Sequence, residues 1–252
     1  MEFARAVSAD AAIAVGAMAA ERTLPVDEAL VPLLPEGALV RGRSVACSGL
    51  LGPSLALAMA AAACRKGSWS AMVDVPWLGV EAAAEIGVPL ERFVRVDSCR
   101  PDGSVGRDER GDLWGEVLGA VLDGFEIVIT RVPPRVPAGL VRRITTRLRS
   151  RGGVLVVVGD PGPLSADVVC ESGAVRWDGV GAGHGHLRAR RVVVRSSGRR
   201  VARPRQVDLW LPAPGGGIVA APPEPIAFSP RPEAASVLSP WGEAPSALSP
   251  VG

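Results

Sequence analysis

At 252 residues and 48% apolar side chains, the chain is long enough for one substantial core plus a tail. Its four cysteines, Cys47, Cys64, Cys99 and Cys170, are widely spaced with no C-x-x-C pair, which argues against a disulfide or zinc framework and for buried thiols in a reducing compartment. The net charge is only +2, with 27 arginines, one lysine and no tyrosine, a bias that reflects GC-rich coding more than function.

The charge is unevenly spread. Residues 1–130 hold 11 basic and 18 acidic side chains, residues 131–211 hold 16 and 5, and residues 212–252 hold 1 and 3. An excess of +11 in the middle segment suits contact with phosphate, and equally suits a solvated basic face.

In chain order, Ala11 to Ala20 reads as an amphipathic N-terminal helix rather than a signal peptide, because its flank carries Glu2 and Asp10 beside Arg5. No stretch approaches the ~18 apolar residues of a membrane-spanning helix, so a cytoplasmic protein without membrane contact is expected. A connector through Leu24-Pro25 leads to the turn cluster Leu34-Pro35-Glu36-Gly37. Strands are expected at Ser44–Cys47, Ser70–Val75, Phe93–Val96, Phe125–Thr130 and Val154–Val158, with helices at Ser54–Arg65, Val80–Ile86, Leu113–Asp123 and Leu140–Arg151. This alternation predicts an α/β fold, a mostly parallel twisted sheet with helices on both sides. Beyond Asp160, short strands at Asp167–Glu171, Ala174–Trp177, Leu187–Val194 and Val207–Leu211 predict an antiparallel C-terminal extension. Past Pro212 the chain is rich in Pro, Gly and Ser and carries the near-repeat Ser229-Pro230, Leu238-Ser239-Pro240, Leu248-Ser249-Pro250. The expected organisation is therefore an N-terminal helix and connector (1–32), a core (33–211) and a disordered tail (212–252).

The loop Cys47-Ser48-Gly49-Leu50-Leu51-Gly52-Pro53-Ser54 joins the first strand to an alanine-rich helix, the place of a phosphate-binding G-x-x-x-x-G-K-[ST] loop. Gly52 and Ser54 fit that pattern, whereas Cys47 replaces the first glycine and Pro53 the lysine. Pro53 removes both the ammonium and one backbone donor. Lys66 sits at the far end of the helix, roughly 18 Å away at about 1.5 Å per residue. An ordinary strand–turn–helix fits the same residues.

The order of residues resembles a RecA core over about 33–211. The likeness rests on Arg41-Gly42-Arg43, the loop at 47–54, Met72-Val73-Asp74, and the segment Glu85-Ile86-Gly87-Val88-Pro89-Leu90-Glu91-Arg92-Phe93. Within that superfamily the chain looks most like the actinobacterial ImuA-type proteins, accessory factors of damage-induced mutagenesis. The resemblance implies a partner, an ImuB-type inactive Y-family polymerase homologue, and through it an error-prone polymerase in the DNA-damage (SOS) response. It also implies loss of catalysis and no nucleotide cofactor. The lysine position is Pro53, the carboxylate two residues after Asp74 is Pro76, the Walker B aspartate is Thr130, and only the hydroxyl of Ser54 remains. The polar sensor after the fifth strand falls near Asp160. Asp74 itself reads as a strand-end carboxylate capping a neighbouring helix, or as a general base or metal ligand. Two other readings stay open: an SOS division inhibitor of the SulA type, and a RecA paralogue retaining ATP or DNA binding.

Three further features carry candidate roles. Gly183-His184-Gly185-His186 holds both histidines but no third ligand, so a glycine loop is expected and no metal site. Arg142, Arg143, Arg147, Arg149 and Arg151 form a basic helix face open to phosphate, to an acidic partner or to solvent. Trp241, flanked by Leu238 and Leu248, is the candidate partner anchor in the tail.

Overall fold

The computed structural model describes residues 22–98, 110–180 and 185–222. The expected N-terminal helix at 11–20 and the tail residues Leu238, Trp241 and Leu248 lie outside these residues. Strands β1 (Thr23–Leu24) and β2 (Leu39–Val40) pair antiparallel around a 3-10 turn at Glu28–Leu33. The remaining elements are β3 (Ser44–Gly49), α1 (Gly52–Arg65), β4 (Ser70–Val73), α2 (Val80–Ile86), β5 (Phe93–Val96), α3 (Arg110–Gly124), β6 (Ile127–Thr130), α4 (Ala138–Arg151), β7 (Val154–Val158), β8 (Val168–Val180), β9 (Gly185–Ser197), β10 (Arg205–Trp210) and β11 (Val219–Ala220).

Nine strands form one mixed sheet in the order β11-β10-β9-β8-β3-β7-β6-β4-β5. The six from β8 to β5 are parallel and the last three in sequence add antiparallel to β8. Moving from β3 to β4 and β5 the chain crosses by α1 and α2 on one face. Returning to β6 and β7 it crosses by α3 and α4 on the other. Right-handed crossovers require this segregation of helices by direction of travel.

Side chains alternate between the two cores accordingly. Val45, Cys47, Met72, Ile127, Ile129, Val154 and Val156 pack with α1, while Ala46, Ala71, Val73, Val128, Leu155 and Val157 pack with α3 and α4. Helix α1 is buried nearly all round, from Leu55 to Cys64, which is why it is built from alanine, leucine and methionine. Helix α4 is the opposite: Leu140, Ile144 and Leu148 face the core at a four-residue spacing and arginines face out.

Two expected boundaries shift. The strands foreseen at Asp167–Glu171 and Ala174–Trp177 are one strand, β8, interrupted by a register shift between Ser172 and Val175. The supposed tail begins too early: Ala213, Ile218 and Ala221 are buried, and the Gly217 amide donates to the Glu85 carbonyl at 2.7 Å. Residues 212–222 belong to the core because β11 covers β10. The connector before residue 33 is also core, with Leu30 and Leu33 fully buried.

Helices α3 and α4 cross in close contact at Gly115. A Cβ there would stand 2.4 Å from Leu140 Cδ2 and 2.6 Å from Cδ1. Overpacking of this kind costs about 1–3 kcal/mol, against up to about 1 kcal/mol gained in helix propensity. Gly115→Ala is expected to lower stability by about 1–2 kcal/mol in denaturant melts. Adding Leu140→Ala should make the pair less than additive, because the clash is then gone.

Candidate functional site

In open α/β sheets, ligands bind in crevices outside the carboxyl ends of the strands, where neighbouring connections leave in opposite directions. Here that place is the end of β3, whose chain leaves by α1, beside β7, whose chain leaves toward β8. The loop of residues 47–54 occupies it.

The loop is closed onto the protein. The Leu51 amide donates to Ser172 Oγ at 2.9 Å, and that hydroxyl donates to the Ser48 carbonyl at 2.8 Å. Ser172 comes from β8, where it lies in register with Gly49. Gly49 has φ +82, and a Cβ there would stand 2.0 Å from the Ser172 carbonyl oxygen, so only glycine fits. A Cβ on Gly52 would meet the Cys47 carbonyl at 2.6 Å. That carbonyl also accepts the Gly159 amide at 2.8 Å, which joins the ends of β3 and β7.

Pro53 stands in the first turn of α1, where its missing N–H costs no helical bond. Ser54 keeps its hydroxyl but uses it internally: Arg190 of β9 donates to Ser54 Oγ at 3.1 Å and to the Leu211 carbonyl at 2.9 Å. The same guanidinium stacks 4.9 Å from the ring of Trp177, its cross-strand neighbour. Burial pulls the Arg190 guanidinium below its ordinary value, and Glu85 opposes that shift. A cation thus reaches the start of the helix after all, supplied by a distant strand.

The other positions carried by the resemblance are tied to neighbours too. Asp74 adopts φ +53, and its carboxylate accepts the Ser98 amide at 2.7 Å and the Ser98 hydroxyl. Among the described residues it fastens the end of β4 to Ser98 after β5 instead of capping a helix, correcting that expectation. Pro76 is exposed, and the adjacent Trp77 lies 5.5 Å under Arg131 from the loop after β6. Thr130 is fully buried on the α3 side, where its hydroxyl accepts Trp114 Nε1 at 3.0 Å. Asp160 accepts the Gly162 amide at 2.8 Å, an internal turn bond.

Cys47, Gly52, Pro53 and Ser54 therefore form one local unit, but Thr130 and Asp74 do not converge on it. In the strand order, β6 is two strands and β4 three strands from β3, roughly 10 and 14 Å at about 4.8 Å per strand. Thr130 also points to the opposite face from α1. These positions do not meet around one point, because β7 lies between β3 and β6.

Ser172 and Arg190 were the residues sequence reasoning missed. They lie on β8 and β9, more than a hundred residues from the loop, and only the pairing of β8 with β3 brings them near. Of the expected glycine–histidine loop, residues 181–184 lie outside the described residues and β9 starts at Gly185. Among the described residues, no cluster of three His, Cys, Asp or Glu is placed to hold a metal. No helix among them is long and apolar enough to cross a membrane.

The molecule is thus an α/β protein whose mostly parallel mixed sheet carries a strand–loop–helix at the carboxyl end of β3, closed by its own chain. Residues 32–163 match the MT3502 N-terminal domain, and the chain belongs to that family. The match covers β2 to β7 and stops before β8, so Ser172 and Arg190 come from outside it. No curated protein matches the chain.

Cys47 and Cys170 lie opposite each other in the β3–β8 register, both with no exposed surface. Burial pushes the Cys170 thiol up to about 12 and that of Cys47 well above its ordinary value. At pH 8 neither is a thiolate, so maleimide labelling of both should proceed only at the unfolding rate. Ser172→Ala strands the buried Leu51 amide and should cost about 1–3 kcal/mol, read as a lowered urea midpoint.

Proposed function

We propose that the chain is a non-catalytic RecA-like adaptor in damage-induced mutagenic translesion synthesis. It engages an ImuB-type inactive polymerase homologue and, through it, an error-prone polymerase. The observation that carries the non-catalytic reading is the bond from the Leu51 amide to Ser172. A phosphate-binding loop works by presenting free backbone N–H groups to the ligand. Here the Leu51 donor is spent on β8, and Pro53 offers no N–H.

Support for the RecA-like core comes from the parallel sheet with the loop strand β3 inside it, between β7 and β8. The resembling segment Glu85–Phe93 supports it as well: α2 ends at Gly87, a 3-10 turn covers Leu90–Arg92, and β5 begins at Phe93. The choice of partner rests on the family resemblance of the residues themselves.

Two measurements test the proposal. Magnesium-ATP at 1 mM should leave the melting temperature of the full chain unchanged. A site with a Kd of about 10 μM would instead add about 2.7 kcal/mol of stability. In cell lysates from damage-treated cultures, the full chain should capture the ImuB-type protein. A folded chain that binds ATP, or that fails to bind that partner, sinks the corresponding half.

A further inference from the structure

Helix α4 carries an arginine surface that the closed loop does not use. Because Leu140, Ile144 and Leu148 hold one side of the helix in the core, Arg142, Arg143, Arg147, Arg149 and Arg151 are all exposed. Asp123 at the end of α3 binds two of them. It accepts Arg147 Nε at 2.8 Å and Nη2 at 2.5 Å, and Arg151 Nε at 2.9 Å. Those bonds hold the Asp123 carboxyl below its usual range, Arg147 contributing most. One carboxylate shared by two guanidiniums leaves a net positive charge and holds both side chains in fixed directions. Arg142, Arg143 and Arg149 make no hydrogen bond or ion pair with any described residue.

This surface forms an open trough of about 770 Å³. Gly139 aside, it is lined by Arg142, Arg143, Thr146, Arg147, Ser150 and Arg151. Among the described residues, no carboxylate, aliphatic or aromatic side chain lines it. Protein partners are held mainly by aromatic and other anchors in desolvated pockets, and this trough offers no apolar anchor site. Single-stranded nucleic acid is held largely by aromatic stacking, and no aromatic lines it either. Guanidiniums interleaved with Thr and Ser hydroxyls are what phosphate contacts use. Along the row Arg143, Arg147, Arg151, successive residues rise by about 6 Å. That is on the order of two phosphate steps of one duplex strand at about 3.4 Å each.

We propose that this face of α4 binds the sugar-phosphate backbone of duplex nucleic acid, without regard to base sequence. The binding stands apart from the closed loop and from the choice of protein partner. As Arg142, Arg143, Arg147 and Arg151 neutralise duplex phosphates, the cations condensed on the duplex are released, so affinity must fall with salt.

The test is fluorescence anisotropy of a labelled 25-base-pair DNA duplex titrated with the full chain, from 50 to 200 mM NaCl. Binding is expected with a log–log salt slope of about −3, for three to four neutralised phosphates. The double substitution Arg142→Glu/Arg143→Glu should weaken binding at least tenfold and flatten the slope by about 2. Both side chains are exposed and have no ion pair with a described residue, so its melting temperature should match that of the parent. Arg142→Gln/Arg143→Gln should give an intermediate loss, and Arg203→Glu, on the exposed turn before β10, a change within twofold. The proposal is overturned by no binding at 50 mM salt, or by a folded double variant that binds like the parent. It is equally overturned if a single strand binds more tightly than the duplex, or if poly-glutamate competes as well per charge, which would make an acidic polypeptide the ligand.

Discussion

The hydrogen-bond relay from Leu51 N–H through Ser172 Oγ to the Ser48 carbonyl is the constraint on which the arrangement of this molecule turns. A loop between a parallel strand and a helix leaves amides at the helix start without intrahelical partners. They must be met by ligand, water or protein. Here β8 supplies the partner, and it does so only because it lies parallel to β3 with Ser172 opposite Gly49. That requirement fixes φ at Gly49, forbids a side chain there, and makes β8, the strand on which the antiparallel extension is built, a structural part of the loop.

The same logic extends along the carboxyl edge of the sheet. Asp74 joins β4 to Ser98, Arg131 stacks on Trp77, the Gly159 amide binds the Cys47 carbonyl, and Arg190 reaches Ser54. Each tie uses a polar or cationic group that would otherwise need water or a ligand. Individually they are modest: an exposed cation–π contact contributes about 0.5–1 kcal/mol and a net hydrogen bond about 0.5–1.5 kcal/mol. Collectively they hold the edge where such sheets usually take substrate in one conformation. The strained backbone of Asp74 belongs to this set, since its φ of +53 is what lets its carboxylate receive both Ser98 donors.

Much of the fold was legible because the core follows simple periodicities. The run Val154–Val158 matches β7 residue for residue, and α2 and β5 fall where capping glycine and β-branched residues place them. What could not be read was long-range. Ser172 sits in an unremarkable stretch of polar and small residues, and Arg190 is one of many arginines, so no local pattern marks either as part of the loop. The merging of two short strands into β8 was hidden by Ser172-Gly173, which reads as a turn but is absorbed as a register shift. The core segment after Pro212 was hidden by composition: proline and glycine are frequent there, yet Ala213, Ile218 and Ala221 are buried, and β11 packs on β10 and on the 3-10 turn at Glu28–Leu33. The separation of Thr130 and Asp74 from the loop depends on β7 entering between β3 and β6, which only strand order decides.

Arginine abundance alone says little in a chain with this coding bias, but the structure sorts the arginines by what they touch. Arg41 pairs with Glu126, Arg65 with Asp27, Arg191 with Asp208, and Arg92, Arg131 and Arg190 lie over tryptophan rings. These are internal struts, and their charge is already answered by carboxylates or ring faces. On α4 the balance differs: of its five guanidiniums only those of Arg147 and Arg151 meet a carboxylate among the described residues, and both share Asp123. Paired surface charges contribute little to stability, and unpaired ones on a helix repel at i,i+4 spacing. Arg143, Arg147 and Arg151 have that spacing, so the row weakens its own helix unless an anion lies beside it. Asp123 supplies part of that anion at one end, and an external phosphate backbone would supply the rest along the row. The stability cost of the uncompensated row and its fitness for a polyanion have the same electrostatic origin.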